Sequence, residues 1–259
     1  MNFFKSKPAI ELPEHNCVLP HALKLPATKK LVGKRVVLAS NSPRRKEILQ
    51  TFGLQPEIVP STFEETLSYT DFEDVHEYPV STATHKGVEV YERLVRQEPE
   101  NPPDLVIAAD TVVLTHPSPS LSQTPFADAP SGPQEILEKP VDKEDNLRML
   151  LDLNGGVCEV VTGVSVIYPV LEAPGYKIKS IEERTLVYFV DNPKHIIQAY
   201  VENGEGIDRA GGFAIQGLGG LLVRKIDGDY QNVVGFPATS FFKWLDLLIE
   251  EEEDFLNLD

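Results

Sequence analysis

Cysteine is almost absent from this chain: two, Cys17 and Cys158, occur in 259 residues. A pair so far apart makes neither a disulfide framework nor a metal-binding spacing, so a reducing, cytoplasmic setting is expected. Long apolar runs are absent too. No stretch approaches the roughly 20 residues of a membrane span, and the opening MNFFKSKPAI lacks the apolar core of a secretory signal. Positive charge is scarce. The 24 Lys and Arg face 40 Asp and Glu, a formal charge of −16. A broad basic face for nucleic acid is thereby excluded, and a small anionic ligand is accommodated only where the few cations gather. The partners expected are thus neither membrane nor nucleic acid. What remains, 41% hydrophobic and 25% charged, is the composition of a soluble globular protein with ample core for one large domain or two small ones.

The cations do gather in residues 36–53, VVLASNSPRRKEILQTFG. An apolar, β-branched run of strand length opens the stretch, and Ser40-Asn41-Ser42 turns it. A helical pattern follows, with Ile48, Leu49 and Phe52 on one face. Ser42 suits the N-cap, Pro43 the first helical position and Gly53 the stop. Arg44, Arg45 and Lys46 then crowd the positive end of the helix dipole, where each exposed like charge costs about 0.3–1 kcal/mol. Free N–H groups at that end already favour an anion, and two arginines add forked charge-assisted donors. The pattern points to a phosphate-rich ligand; the alternative is three solvated side chains on a surface turn.

Residues 1–33 carry Pro8, Pro13, Pro20 and Pro26 with little periodicity and are expected as an extended, mobile arm, leaving 34–259 as a single domain. A short strand is expected within 55–60, then a polar segment with the carboxylate pair Glu64-Glu65. A helix over 79–96 carries Lys86 at the border of its apolar face. Residues 104–114, DLVIAADTVVL, are apolar on both faces, as in a buried strand of a mainly parallel sheet. Asp110 and Thr111 interrupt that run. A carboxylate at the end of a buried strand needs a partner, a metal or a shifted pKa; the alternative is an Asp accepting loop hydrogen bonds. Residues 115–134 are rich in Pro, Ser and Thr and read as a flexible insertion. Asp142 caps a helix running to about Leu153, an antiparallel strand pair covers 158–170 and 178–190, and another helix starts at Asn192-Pro193 and closes at Gly204. The run GEGIDRAGGFAIQGLGG, 204–220, matches neither the P-loop nor the dinucleotide fingerprint. Its glycines suit a backbone that turns sharply and approaches a ligand, or a connecting loop. Residues 221–226 and 230–234 are expected to form a hairpin about Asp227-Gly228, before a last helix after Pro237.

Six segments, LASNSPRRKEIL, AADTVV, EKPVD, VVTGVSV, GEGIDRAGGFAIQGLGG and IDGDYQNVVGFP, occur in the order found in the Maf family of nucleoside triphosphate pyrophosphatases, which the chain resembles over most of 36–248. The resemblance implies an α/β fold of Maf/ITPase-like type, with an elongated mixed β-sheet, flanking helices and two lobes around a central cleft. It implies hydrolysis of a nucleoside triphosphate to the monophosphate and pyrophosphate, a divalent cation (Mg²⁺ or Mn²⁺) and a homodimer. Carried over by motif, Ser40, Arg44 and Arg45 hold phosphates, and Lys86 and Lys139 add positive charge. Glu65 and Asp110 hold the cation, and Asp110 is the general base. Thr111, Gln216 and Arg44 select the nucleobase. One departure is the run ATHKG around Lys86, where family members more often have alanine after the lysine. Thr111 and the run Ile215-Gln216-Gly217 resemble the branch acting on dTTP, UTP and modified pyrimidine nucleotides. The branch acting on 7-methyl-GTP usually has Gln at the position of Thr111. A third reading is a non-catalytic regulatory protein linked to septum formation; Arg44, Arg45, Asp110 and Lys139 together favour an enzyme.

Overall fold

The computed structural model describes residues 15–64, 66–116, 134–252 and 255–257. In chain order the elements are α1 (Pro26–Lys30), β1 (Val36–Leu38), α2 (Pro43–Thr51), β2 (Glu57–Ile58), α3 (Glu77–Gln97), β3 (Leu105–His116) and β4 (Ile136–Leu137). There follow α4 (Lys143–Leu153), β5 (Val157–Pro169), β6 (Tyr176–Phe189), α5 (Lys194–Asn203), β7 (Val223–Asp227), α6 (Tyr230–Val234) and α7 (Ala238–Glu251). Short 3₁₀ turns punctuate the glycine-rich segment between α5 and β7.

The strands form one mixed sheet in the order β2-β1-β3-β5-β6-β7, with β4 also on β3. Among the described residues only the β1–β2 and β1–β3 pairs are parallel, so the expectation of a mainly parallel sheet is corrected. The long strands β3, β5 and β6 are its spine, and β3 pairs β5 without a break from Val106↔Ile167 to His116↔Val157. The opposite edge of β3 is interrupted. β1 meets it at 105–107 and β4 at 113–114, so among the described residues 108–112 have no strand on that side. Asp110 lies in this gap. It is in mid-strand rather than at a strand end, and buried.

Two cores flank the gap. Leu38, Leu49, Ile107, Phe236, Phe241 and Leu245 pack one; Val113, Leu150, Phe189, Ile197, Tyr200 and Phe213 pack the other. β3 contributes to both, so the site lies where the lobes meet. α3 crosses the spine closely: a Cβ at Gly163, the register partner of Asp110, would lie 2.4 Å from the Val80 nitrogen. Glycine at 163 therefore lets the helix carrying Lys86 descend onto the strands.

Two expectations are corrected by packing. Residues 15–33 are not an arm: Cys17, Ala27 and Leu31 are buried, Val18 bridges Leu54, and the Ala27 N–H donates to Asp246 Oδ1 at 2.7 Å, joining α1 to α7. The prolines punctuate this segment, but its apolar residues have a core to enter. Residues 230–234 form helix α6 and not a hairpin strand. Asp229 caps it, accepting from Gln231 N–H at 2.7 Å, and the fully buried Asn232 donates to Val160 O, Glu183 O and Thr185 Oγ1. β7 pairs with β6 instead. Residues 1–14, Glu65 and most of the expected insertion, 117–133, lie outside the described residues. Among the described residues no helix is long and apolar enough to cross a membrane.

Candidate active site

The turn after β1 folds as its sequence dictates. Ser42 caps α2, its Oγ accepting from Arg45 N–H at 3.5 Å, and Pro43 occupies the first helical turn. The two arginines then part. Arg45 turns inward, donating from Nε to Gly235 O at 3.1 Å, from one terminal nitrogen to Ser40 Oγ at 3.2 Å, and from the other to Thr111 Oγ1 at 3.1 Å. It thereby ties the loop after β1, the middle of β3 and the end of α6 into one wall. Thr111 is fixed from behind by Thr162, hydroxyl to hydroxyl at 2.9 Å. Arg44 turns toward the glycine-rich segment, donating to the Asp208 carbonyl at 3.1 Å. Its other terminal nitrogen is buried with no hydrogen-bond partner among the described residues, and burial lowers the guanidinium pKa from its ordinary value.

Across the gap, Lys86 Nζ on α3 donates to Asp110 Oδ1 at 2.8 Å, with both side chains largely shielded from solvent. Gly87, which follows Lys86, faces Ile167 and Ala108. The lysine–glycine departure therefore accompanies close packing on the sheet and leaves Lys86 reaching the carboxylate. Lys139, after β4, donates to Asp208 Oδ1 at 2.6 Å. A cavity of about 470 Å³ is lined by every described member of the expected set: Ser40, Arg44, Arg45, Lys86, Asp110, Thr111, Lys139 and Gln216. Residues remote in sequence thus share one polar cleft between the lobes.

The glycine-rich segment contributes differently from one of its two readings. A Cβ at Gly212 would lie 2.1 Å from Asn146 Nδ2, and one at Gly211 would lie 2.8 Å from Val113 Cγ2. These glycines approach α4 and β3, and Asn146 donates to Gly212 O at 2.9 Å. Their close contact is with the protein, and it places Asp208, Arg209 and Gln216 on the rim of the cavity. Asp208 and Arg209 were missed by sequence reasoning. Their signal was a pair of adjacent, oppositely charged residues inside a run made mostly of glycine and apolar residues. The Ser61–Thr62 loop was missed as well. Glu89 on α3 accepts from Ser61 Oγ, Thr62 N and Thr62 Oγ1 at 2.9–3.0 Å, fixing a segment that lines the same cavity.

A family model described as Maf-like protein matches residues 35–248. The chain belongs to the Maf-like family. Among its relatives in that family, a human protein named probable bifunctional dTTP/UTP pyrophosphatase/methyltransferase is 41% identical over 222 residues, covering 85% of this chain and 33% of the human one. The chain therefore spans a third of that protein's length. A Schizosaccharomyces pombe dTTP/UTP pyrophosphatase is 38% identical, covering 86% of this chain and 87% of its own. A Thermococcus kodakarensis protein of the same name is 38% identical, covering 82% and 96%. The matched Maf-like region takes in the whole sheet and every described cavity residue of the expected set.

Proposed function

We propose that the chain hydrolyses nucleoside triphosphates to the monophosphate and pyrophosphate, with dTTP and UTP as its preferred substrates. The observation carrying this reading is the convergence of Arg44, Lys86 and Lys139 with the buried carboxylate of Asp110 in one cleft. An overall acidic protein there offers a local site for a polyanion. Phosphoryl-type chemistry depends chiefly on positioning and on fixed charge. Asp110, oriented by Lys86, accepts the proton of a water that attacks the α-phosphorus, and the anhydride oxygen leaves with pyrophosphate. Arg44 and Lys139 bind phosphate oxygens. Ser40 and Thr111 are held in place by Arg45. Gln216, exposed on the cavity rim, presents an amide that donates and accepts, suited to a uracil or thymine edge, and a wrong base would leave that amide unpaired.

Among the described residues no three His, Cys, Asp or Glu side chains gather as a ready-made metal cage. The Asp110 carboxylate in the cleft fits Mg²⁺ or Mn²⁺ nonetheless, because such ions bind through one or two carboxylates, water and substrate phosphates. Asp110 is the described residue that would hold the ion, with Glu65 its expected companion. When bound, the ion neutralises phosphate charge and acidifies water. A cytoplasmic setting, suggested by the scarcity of cysteine, and a homodimeric assembly, implied by the family resemblance, complete the proposal.

The test is a panel of canonical and modified nucleoside triphosphates with Mg²⁺ or Mn²⁺, scoring pyrophosphate and orthophosphate separately, with Asp110→Asn alongside. Pyrophosphate release is expected to be fastest from dTTP and UTP, with 7-methyl-GTP poor. Gln216→Ala should narrow the pyrimidine–purine gap, and Asp110→Asn should cut turnover by about 10²-fold or more. Highest kcat/KM on 7-methyl-GTP would reassign the branch; orthophosphate as the sole product would reject the reaction.

A further inference from the structure

We propose that the Asp208 carboxylate is a displaceable counter-anion that holds the place of a substrate phosphate in the free protein. The inference deepens the pyrophosphatase reading and rests on it for the identity of the incoming anion. Asp208 takes part in neither the expected chemistry nor the packing of a core, and its side chain is 64% exposed. Yet three cationic side chains converge on it: Lys139 Nζ at 2.6 Å from Oδ1, Arg209 at 3.6 Å and Arg44 at 3.9 Å from Oδ2. All four residues line the same cavity. One carboxylate against three cations leaves positive charge unmatched, and Arg44 Nη1 and Arg209 Nε are buried with no hydrogen-bond partner among the described residues. A phosphate group matches this arrangement better than a carboxylate does, since it offers more charge and three acceptor oxygens.

The exchange needs no rearrangement of the arginine. Arg44 and Arg209 also donate to the Asp208 main-chain carbonyl, each at 3.1 Å, and those bonds survive when the carboxylate swings out toward solvent. A group that must be displaced before binding reduces apparent affinity by the fraction of molecules in which it is seated. The same factor then applies to every ligand that needs the place, substrate and pyrophosphate alike. An internal counter-anion therefore weakens product retention as much as substrate capture, and it partly offsets the charge of three cations between turnovers.

The experiment compares the full chain with Asp208→Asn and Asp208→Glu. It measures KM for dTTP and, by calorimetry, the Kd for inorganic pyrophosphate. Asp208→Asn is expected to lower both constants by a common factor of about two to five, the strength of an exposed ion pair, and Asp208→Glu to stay near wild type. Glu138→Gln removes an equal charge from the cavity wall, where Glu138 is held by the Tyr78 hydroxyl at 2.8 Å, and should change both constants by less. A rise in KM and Kd with Asp208→Asn would show instead that the carboxylate positions the cations, and no change would show that it competes with nothing. Equal tightening by Glu138→Gln would reduce the effect to net charge and overturn the place-holding. If the wild-type chain hydrolyses no nucleoside triphosphate, the calorimetric arm still decides: tightening confined to Asp208→Asn supports the counter-anion while the hydrolytic reading falls.

Discussion

Arg44 and Arg45 are adjacent in sequence and opposite in what they touch. The placement of both in the first turn of a helix signals that they are not there for the helix, since they oppose its dipole. That much is legible from SPRRKEIL alone. Which arginine turns to the glycine-rich segment and which holds the wall is not, because it depends on acceptors 66 and 190 positions away in the chain, Thr111 and Gly235. The divided contacts make the two arginines separable by mutation. Arg45→Ala leaves Ser40, Thr111 and Gly235 O without their shared donor and is expected to cost about 2 kcal/mol of stability along with activity. Arg44→Ala should barely move the melting temperature and should raise KM. Thermal melts paired with kinetics check this; an Arg45→Ala protein as stable as wild type would return Arg45 to the role of a plain phosphate ligand.

At the level of elements, α3 joins the site to the sheet through buried charge. His76 at its start lies between Asp74 and Glu159, with Glu159 Oε2 at 3.0 Å from Nε2. Burial works against charge on His76, but hydrogen bonds with Glu159 and Asp74 outweigh it and raise the imidazole pKa from its ordinary value. Burial likewise opposes ionisation of Glu159, yet His76 holds that carboxyl below its usual range. The histidine's contribution is complete below its unfolded value of about 6.5 and is lost as pH rises through the folded one. The carboxylate's contribution is present above its unfolded value of about 4.3 and is lost as pH falls. Wild-type melting temperature should therefore decline from about pH 6.5 upward more steeply than that of His76→Gln; parallel curves would contradict the coupling. Glu89, on the same helix, is held down to about 2 by Arg93 and by donors from Ser61 and Thr62 against the opposing effect of burial, so its grip on the cavity loop persists across neutral and mildly acidic pH. The helix itself was readable from its period, expected over 79–96 and found over Glu77–Gln97. The hydrogen-bonded clusters were not, because His76, Glu159 and Glu89 look like any polar residues until strand and helix are set side by side.

For the molecule as a whole, the decisive feature is a spine of long strands with cores packed on either side of a cleft, which lies where, among the described residues, one edge of β3 has no partner strand. The first core includes residues before the matched Maf-like region. Leu31, fully buried beside α7, should cost about 2–5 kcal/mol when changed to alanine. Denaturant unfolding measures this, and a change below 1 kcal/mol would mean that residues 15–33 pack without supporting the fold. The sequence by itself determined the local units: the strand–turn–helix at 36–53, the capped helices, the paired strands and the six ordered segments that mark the family. Each is encoded by residues within a few positions of one another, through caps, periodicity and turn chemistry. Only tertiary structure decided that Asp110 lies in mid-strand at a gap in pairing, that 230–234 coils around a buried asparagine, that 15–33 enters the core, and that Asp208 faces three cations. Those outcomes depend on contacts between segments far apart in the chain, where burial and hydrogen-bond completion across the fold outweigh what any local pattern prefers.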